Sequence, residues 1–381
     1  MTKRTLLSTV TVLGSAMIAL LSPACGGDDT AVPTDAGTDG STTQDGATND
    51  GATGGDGGTN DGAANDAGVP APTFVTHFTA ANGELPEGLT YRGGKAYVGL
   101  APTGKIVSID PSTGAVTPYA SLPTNASNLT LGMLFDGAGN LYVGVGASGA
   151  AGAATAGVYK IPAGADGGGA AVRQWAGPAM LFPNGFAFDT AGTHLFVADS
   201  NDGAVYRFAL TDAVTTAATP WKKDPALAGD LPDAGAGTCP KPSAGFPIGA
   251  NGIILDATTA YVANTDKGTL VTIAVDGAGN AGALAVAVND CAKLEGLDGI
   301  AFDTKDQSIL GLVNSGNSLV RITGSTIVTL RSGAPFDSPA SIVQIPGQTA
   351  PEQFLVTNAA FTSAQTDGGS PQAGLLKILI P

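Results

Sequence analysis

The chain has 381 residues, with 32 acidic and 17 basic side chains and a formal net charge of −15. Nine of the acids lie in residues 26–70, so the part of the chain from residue 72 onward keeps 23 acids against 15 bases. This surplus of acids, without any basic stripe, argues against nucleic acid as a partner.

The first 25 residues have the layout of a secretory signal peptide. A basic pair precedes the apolar stretch 6–21, which is short for a membrane span, and small residues lead to Cys25. The layout resembles a bacterial lipoprotein signal, so we expect Cys25 to be lipidated and to anchor the protein to a membrane outside the cytoplasm. Gly26 favours the outer membrane or cell surface over the inner membrane. The alternative is ordinary cleavage near Ala24 beside an incidental cysteine.

Residues 26–71 are rich in Asp, Gly and Thr and contain no Lys, Arg, Glu or aromatic residue. Such a segment has no apolar surface to bury, and we expect a disordered tether that its own charges extend. The tract 49–62 is superficially similar to Asp/Gly calcium loops, but its irregular spacing favours a plain solvated linker.

Six segments of the remaining chain repeat one phrase: an apolar run, a polar turn and a second apolar run. Most copies begin 41–52 residues after the previous one, with one interval of 67; they start at Pro86, Leu131, Pro183, Ala250, Leu297 and Ser338. Short runs rich in Val, Ile, Phe, Tyr and Leu between Gly, Asp, Asn and Pro are typical of strands. Repeats of this length, each one small sheet, predict the blades of a propeller.

The fold class predicted for residues 72–381 is therefore all-β, a six-bladed β-propeller that follows a signal peptide and a disordered linker. Residues 73–79 precede the first copy and have no unit of their own. We expect them to add an outer strand to the last blade, beside the C-terminal run 375–380, because this closure removes the exposed edges of an open sheet.

Cys239 and Cys291 precede the fourth and fifth copies. In a propeller these two segments lie on one face of neighbouring blades, so we expect a disulfide, which suits an oxidising compartment. Two free buried thiols are the alternative.

The chemistry-bearing positions come directly before the glycine of the first five repeats and before Ala340 in the weak sixth copy, and we call these the axial residues. From the first copy to the sixth the sequence predicts them as Glu87, Leu131, Asn184, Asn251, Asp298 and Pro339. Since the first strand of each blade lines the central channel, two carboxylates and two amides should converge there. These are ligands that Ca²⁺ prefers, and a cation would offset their mutual repulsion. Polar residues that solvate a water-filled channel are the alternative.

The order Glu-Gly, Asn-Gly, Asn-Gly, Asp-Gly in blades one, three, four and five resembles the superfamily of senescence marker protein 30 and gluconolactonase. The propellers of diisopropyl fluorophosphatase and paraoxonase are similar. The resemblance implies one catalytic divalent metal in the channel, held here by Glu87, Asn184, Asn251 and Asp298. It is weakest in blades two and six.

Blade three departs from the family pattern. The lactonases have a basic residue and an acidic partner beside the third-blade Asn, whereas this chain has Leu181, Phe182 and Pro183 before Asn184. We therefore expect the walls of a pocket over the metal to be apolar, formed by Met180, Phe182, Phe246 and Ile248.

Other polar residues are predicted to be structural. Asp recurs after the first strand and Asp or Asn ends the second strand, where both types make turns, at Asp136, Asp189, Asp256, Asp303, Asp199, Asn264, Asn314 and Asn358. The last four could also support the channel site. The two histidines, His77 and His194, are not expected to be catalytic.

Two functions remain open from the sequence. The first is a metal-dependent hydrolase of a lactone, ester or phosphoester, with Asp298 as general base or nucleophile. The second is a non-catalytic propeller on a tether that binds a small-molecule ligand, apolar or polar, or another partner over the channel. The intact set of four ligands favours the first, and the missing basic residue favours the second.

Overall fold

The computed structural model describes residues 68–164, 170–230, 239, 246–348, 351–365 and 370–381. All of these belong to one of the two compact units of the chain, Ala63–Pro381. The predicted signal peptide with Cys25, and residues 26–67 of the predicted tether, lie outside the described residues.

Within the described residues, six four-stranded antiparallel sheets form the blades of a propeller, which confirms the predicted fold class. Strand β1 (Thr73–His77) comes first but belongs to the last blade. Blade one contains β2 (Pro86–Arg92), β3 (Lys95–Leu100), β4 (Lys105–Ile109) and β5 (Val116–Ser121). Blade two contains β6 (Asn128–Phe135), β7 (Leu141–Ala147), β8 (Gly157–Ile161) and β9 (Val172–Trp175). Blade three contains β10 (Pro183–Phe188), β11 (His194–Asp199), β12 (Ala204–Ala209) and β13 (Lys222–Lys223).

The second half of the propeller has the same plan. Blade four contains β14 (Ala250–Leu255), β15 (Thr259–Asn264), β16 (Thr269–Val275) and β17 (Ala281–Asn289). Blade five contains β18 (Leu297–Phe302), β19 (Ile309–Val313), β20 (Ser318–Thr323) and β21 (Thr326–Ser332). Blade six contains β22 (Pro339–Gln344), β23 (Glu352–Asn358) and β24 (Gly374–Ile380), with β1 as its outer strand. Helical segments are short: α1 (Cys291–Leu294) and the 3-10 turns Ala80–Asn82, Ala101–Thr103, Ala150–Gly152, Pro225–Leu227 and Ser363–Gln365.

The first and last strands of the chain close the ring. Strand β1 runs antiparallel to β24, with Thr73 opposite Lys377 and His77 opposite Gly374. The predicted outer strand is thus confirmed, and the edge of β24 has a hydrogen-bonded partner. One apolar cluster also joins the two ends, since Leu89 and Val98 of blade one pack with Leu355 and Leu375 of blade six.

Aspartates that follow the first strands fix the turns to the second strands, as predicted. Asp136 accepts a hydrogen bond from the backbone N–H of Asn140 at 2.8 Å, and Asp189 accepts one from that of Thr193 at 2.7 Å. Asp256 and Asp303 bind the backbone of their own turns in the same way. A carboxylate that satisfies several N–H groups of a tight turn specifies its geometry locally.

The two later cysteines form a disulfide on one face of blades four and five. The Cα atoms of Cys239 and Cys291 are 5.2 Å apart, within the range that a disulfide spans. Cys291 opens α1, whose N-cap Asp290 accepts a hydrogen bond from the backbone N–H of Lys293. The bridge connects the segment that leads into blade five to the segment before blade four.

Among the described residues, no helix is both long and apolar enough to cross a membrane.

Candidate metal centre

The six first strands surround the axis of the propeller and touch one another in a closed ring. The pairing of each first strand with the second strand of its blade is interrupted at the same point, where two unpaired residues lie between paired ones. In blade three the unpaired residues are Asn184 and Gly185, between Pro183 and Phe186. The axial residues are the first of each such pair: Glu87, Leu131, Asn184, Asn251, Asp298 and Ala340. The prediction of Pro339 for blade six was wrong, because Pro339 pairs with Asn358 as Pro183 pairs with Asp199.

The glycine after each axial residue allows neighbouring blades to approach closely at the axis. A Cβ atom on Gly132 would collide with the carbonyl oxygen of Asn184, and one on Gly185 would collide with that of Asn251. The first strands therefore pack backbone against backbone, which brings the side chains of successive axial residues together. Blade six differs, because Ser341 occupies the equivalent position.

A cavity of about 70 Å³ lies on this axis. Asn184, Asn251 and Asp298 line it, together with the half-buried Ser341 of blade six. An apolar ring, formed by the residue two positions after each axial residue, completes the lining: Leu89, Met133, Phe186, Ile253, Ile300 and Ile342. The space suits an ion with a few waters.

Glu87 and Asp298 are the two acids of the axial ring, and both are buried, at 4% and 8% exposure. Burial, and then the charge of Asp298, raise the pKa of Glu87 well above its ordinary value. Burial also raises the pKa of Asp298 to about 8, although hydrogen bonds from Asn314 and Asn251 act in the opposite direction. None of the four ion pairs among the described residues includes either carboxylate. Within this part of the chain, the pair therefore has no basic side chain close enough to neutralise it.

Three polar side chains at the ends of second strands support the axial residues. The amide nitrogen of Asn184 donates to Ser200 Oγ at 3.3 Å, and that of Asn251 donates to Thr265 Oγ1 at 2.9 Å. In blade five, Asn314 Nδ2 donates to Asp298 Oδ2 at 3.3 Å.

Sequence reasoning missed Ser200 and Thr265, although a signal was present. A small hydroxyl residue directly follows the second strand in the two copies with an axial Asn. Asn314 was assigned mainly to a turn, with support of the channel site left open, and it contacts the axial Asp298.

The other residues that end second strands hold loops in place, as predicted. Asp199 accepts hydrogen bonds from the backbone N–H groups of Phe182 and Asp202. Asn264 donates to the carbonyl oxygen of Ala228, and Asn358 belongs to a similar network in blade six.

Neither histidine lies at the axis. His77 is exposed on β1, at the outer edge of blade six, where its ring stacks on Phe74 with centroids 3.9 Å apart. His194 Nδ1 lies 2.8 Å from Asp189 Oδ2. His194 begins β11, and the axial residue Asn184 lies near the other end of that strand.

The predicted apolar wall is only partly available to a ligand. Met180 is fully buried and belongs to the core between blades two and three, and Phe182 is 4% exposed. Phe246 and Ile248 are half-buried, and the rings of Phe246 and Phe182 lie 5.3 Å apart. The prediction for Met180 was therefore wrong, because its side chain fills the core rather than facing the channel.

The four polar axial residues fit a hard divalent cation in their chemistry. Among the described residues no cluster of three or more His, Cys, Asp or Glu side chains is arranged to bind a metal, and this site offers two carboxylates and two amides instead. Glu87 Oε2 is buried without a hydrogen-bond partner. A buried carboxylate oxygen without a partner is costly, and a cation would satisfy it.

The fold is shared with several solved propellers. Regucalcin, a calcium-binding protein from Agrobacterium tumefaciens, superposes with a TM-score of 0.56 at 15% identity over 82% of this chain and 93% of that chain. A putative gluconolactonase gives 0.54 at 12% identity over 83% and 93%. An auxiliary nutrient-binding protein from Bacteroides ovatus gives 0.53 at 10% identity over 81% and 76%. At these identities the likeness concerns the fold.

The sequence also matches a described family over part of its length. No curated protein matches it significantly. Residues 73–237 match the family described as the SMP-30/gluconolactonase/LRE-like region. The chain is thus a six-bladed β-propeller whose residues 73–237 are similar to that family.

Proposed function

We propose that this propeller is a hydrolase of a lactone, ester or phosphoester that depends on one divalent cation, with Ca²⁺ as the expected ion. The observation that carries the proposal is the pair of buried carboxylates, Glu87 and Asp298, whose pKa values are raised in a channel without a basic partner. Asn184 and Asn251 line the same cavity as Asp298 and add amide oxygens there. A strongly perturbed pair of acids in a cavity is more typical of a functional site than of a solvated channel.

The roles of the side chains follow from their positions. Glu87, Asn184, Asn251 and Asp298 would hold the ion through oxygen atoms. A bound divalent cation supplies Lewis-acid polarisation of a carbonyl or phosphoryl oxygen. Asp298 would act as general base toward a water molecule, or as nucleophile, through a carboxylate oxygen. Asn314, which donates to Asp298 Oδ2, would hold that carboxylate in orientation.

The small cavity supports a particular substrate class. About 70 Å³ admits the reacting group, so the remainder of a substrate would lie above the channel mouth. Phe246 and Ile248 are half-buried and would offer apolar contacts to that remainder, and no Arg stands beside Asn184 in the sequence. We therefore propose aryl or acyl substrates rather than free sugar acids.

A second candidate function is a non-catalytic binding module. The axial residues Leu131 and Ala340 cannot bind a metal, and the basic residue expected near Asn184 is missing. One of the similar solved propellers is a nutrient-binding protein. In this case the channel mouth would bind a small molecule, and any cation would be structural.

A turnover experiment separates the two candidates. Aryl esters, lactones and phosphotriesters would be supplied to the purified protein with Ca²⁺ and, in parallel, with chelator. We expect calcium-dependent turnover of at least one class, above the background of the Asp298→Asn variant. Equal rates for the wild type and the Asp298→Asn variant on every substrate would reject the hydrolase proposal and leave the binding module.

We also propose that Cys25 carries a lipid and that the propeller acts outside the cytoplasm at the end of its tether. The support is the signal-like sequence before Cys25 and the acidic, apolar-poor segment after it.

A further inference from the structure

We infer that Ser200 and Thr265 are positioning residues that turn the amide oxygens of Asn184 and Asn251 toward the channel cavity. The inference rests on the proposed cation site, whose ligands these two amides would be. Both hydroxyl residues are buried, at 0% and 4% exposure, so water does not compete for their hydrogen bonds.

Each hydroxyl residue directly follows the last paired residue of its second strand. Asp199, the last residue of β11, pairs with Pro183, and Asn264, the last residue of β15, pairs with Ala250. Because the strands are antiparallel, the backbone N–H groups of Ser200 and Thr265 donate to the carbonyl groups of the residues before these partners. From there the side chains of Ser200 and Thr265 contact the amides of the axial residues Asn184 and Asn251.

The direction of each hydrogen bond follows from how many hydrogens a hydroxyl has. Ser200 Oγ lies 2.8 Å from the carbonyl oxygen of Ala250, and Thr265 Oγ1 lies 2.9 Å from that of Leu297. A carbonyl oxygen can only accept, so each hydroxyl donates its single hydrogen there. The contact with the neighbouring amide must then be donated by the amide nitrogen. With the nitrogen fixed in this way, the Oδ1 atoms of Asn184 and Asn251 remain available to a cation in the cavity that both residues line.

The equivalent position in the other blades matches the chemistry of its axial residue. In blade five it is Asn314, a donor to the carboxylate of Asp298. In the remaining blades it has no polar side chain: Ala101 in blade one, Gly146 in blade two and Ala359 in blade six. Polar support is thus confined to the three blades with an axial Asn or Asp, and Glu87, beside Ala101, has an oxygen without a partner. Adhesion between blades alone would not require this match.

Each hydroxyl also joins one ligand to the next blade. Ser200 links Asn184 to the peptide just before Asn251, and Thr265 links Asn251 to the peptide just before Asp298. Two hydrogen-bonded links, which meet at Asn251, therefore connect three candidate ligands across neighbouring blades. Support of this kind around a metal typically changes affinity about 10–100-fold when it is removed.

Thr357 provides a matched control within the same molecule. Its Oγ1 donates to the carbonyl oxygen of Glu87 at 2.7 Å and accepts from the backbone N–H of Ser341 at 2.9 Å. It makes the same bond between blades but contacts no axial amide. Loss of this hydroxyl should cost stability without changing how an amide ligand is oriented.

The experiment is a calorimetric titration of Ca²⁺ into the wild-type protein and the Ser200→Ala, Thr265→Val, Thr265→Ser and Thr357→Val variants. We expect Kd to rise about tenfold or more for Ser200→Ala and Thr265→Val. Thr265→Ser and Thr357→Val should keep the wild-type Kd. Melting temperatures in chelator, measured in parallel, report the cost to the fold, and we expect them to fall alike for Thr265→Val and Thr357→Val.

The outcomes distinguish this inference from the proposed function. If the wild type binds Ca²⁺ and Ser200→Ala and Thr265→Val bind equally well, the positioning role is rejected and the cation site stands. Equal weakening in Thr357→Val would also reject it, because the effect would then follow from general loss of contact between blades. If the wild type does not bind Ca²⁺, both the cation site and the inference fail.

Discussion

Glu87 and Asp298 are two buried acids of the same channel, and the charge of Asp298 helps to raise the pKa of Glu87. They belong to blades one and five, and the small axial residue Ala340 of blade six lies between these blades. Two negative charges in a poorly solvated channel repel each other, so at neutral pH the pair should hold a proton or a cation. Either outcome can be measured.

The first prediction concerns the pH dependence of the metal-free protein. The pKa of Asp298 is about 8 in the folded chain, against an ordinary value of 3.8. Between these two pH values the folded state holds a proton that the unfolded state has lost, so stability falls as the pH rises. Each unit of pKa shift corresponds to about 1.4 kcal/mol. In chelator, we expect the melting temperature to fall as the pH rises from about 5 to about 8.5, because Asp298 loses its proton in the folded state over this range.

The matched variant for this prediction is Asp298→Asn, which removes the titrating group and its repulsion of Glu87. Its melting temperature in chelator should fall less with pH and exceed that of the wild type above pH ~8. Saturating Ca²⁺ should reverse the order of the two proteins, because binding requires ionised carboxylates. Parallel pH profiles of the two proteins in chelator would show that Asp298 is not the group responsible.

The second prediction concerns turnover. If Asp298 acts as general base or nucleophile, Asp298→Asn should lower kcat about 100-fold or more while the protein remains folded. Asp256→Asn is the control, since Asp256 serves a turn at the far end of β14. Steady-state kinetics on the best aryl or acyl substrate measure both effects. Activity of Asp298→Asn close to that of the control would remove Asp298 from the chemistry.

The third prediction concerns the disulfide. Cys239 and Cys291 are separated by 52 residues. A cross-link over a loop of this length stabilises by about 4 kcal/mol in the chain-entropy model. We expect the double variant Cys239→Ala/Cys291→Ala to unfold at lower urea concentration, and the wild type in reductant to behave like it. An unchanged midpoint would mean that the bridge contributes nothing to the stability of the propeller.

The fourth prediction concerns the anchor. Cys25→Ser should move the protein from the membrane fraction to the soluble fraction outside the cytoplasm, because the remaining tether has no apolar surface for membrane contact. Fractionation of cells that express either form measures this directly. Continued membrane association of the Cys25→Ser protein would count against lipidation.

The fold was largely predictable because one sequence pattern recurs six times along the chain. Repeated apolar runs and turn residues predicted the blades, and residues 73–79, left without a unit, predicted the closing strand. Position alone also located the axial residues in blades one to five. The prediction for blade six was wrong by one residue, because Ser341 replaces the glycine that marks the register and Ala340 is the axial residue.

The surroundings of the site were harder to predict, since they depend on contacts between blades. The roles of Ser200 and Thr265 follow from carbonyl groups of the next blade, about 50 and 32 residues further along the chain. Met180 was expected on a pocket wall because it precedes blade three, yet packing between blades buries it. Sequence spacing predicts which residues share a strand position, whereas their partners across blades are set by the closed ring.

Calcium binding is the central claim, and titration calorimetry tests it most directly. Ca²⁺ would be titrated into chelator-stripped wild-type protein and into the Glu87→Gln and Asp256→Asn variants. The account predicts one binding site per chain in the wild type and in Asp256→Asn, and loss of binding in Glu87→Gln, which lacks one of the two buried charges. Absence of binding heat in the wild type, together with an unchanged melting temperature in saturating Ca²⁺, would contradict it.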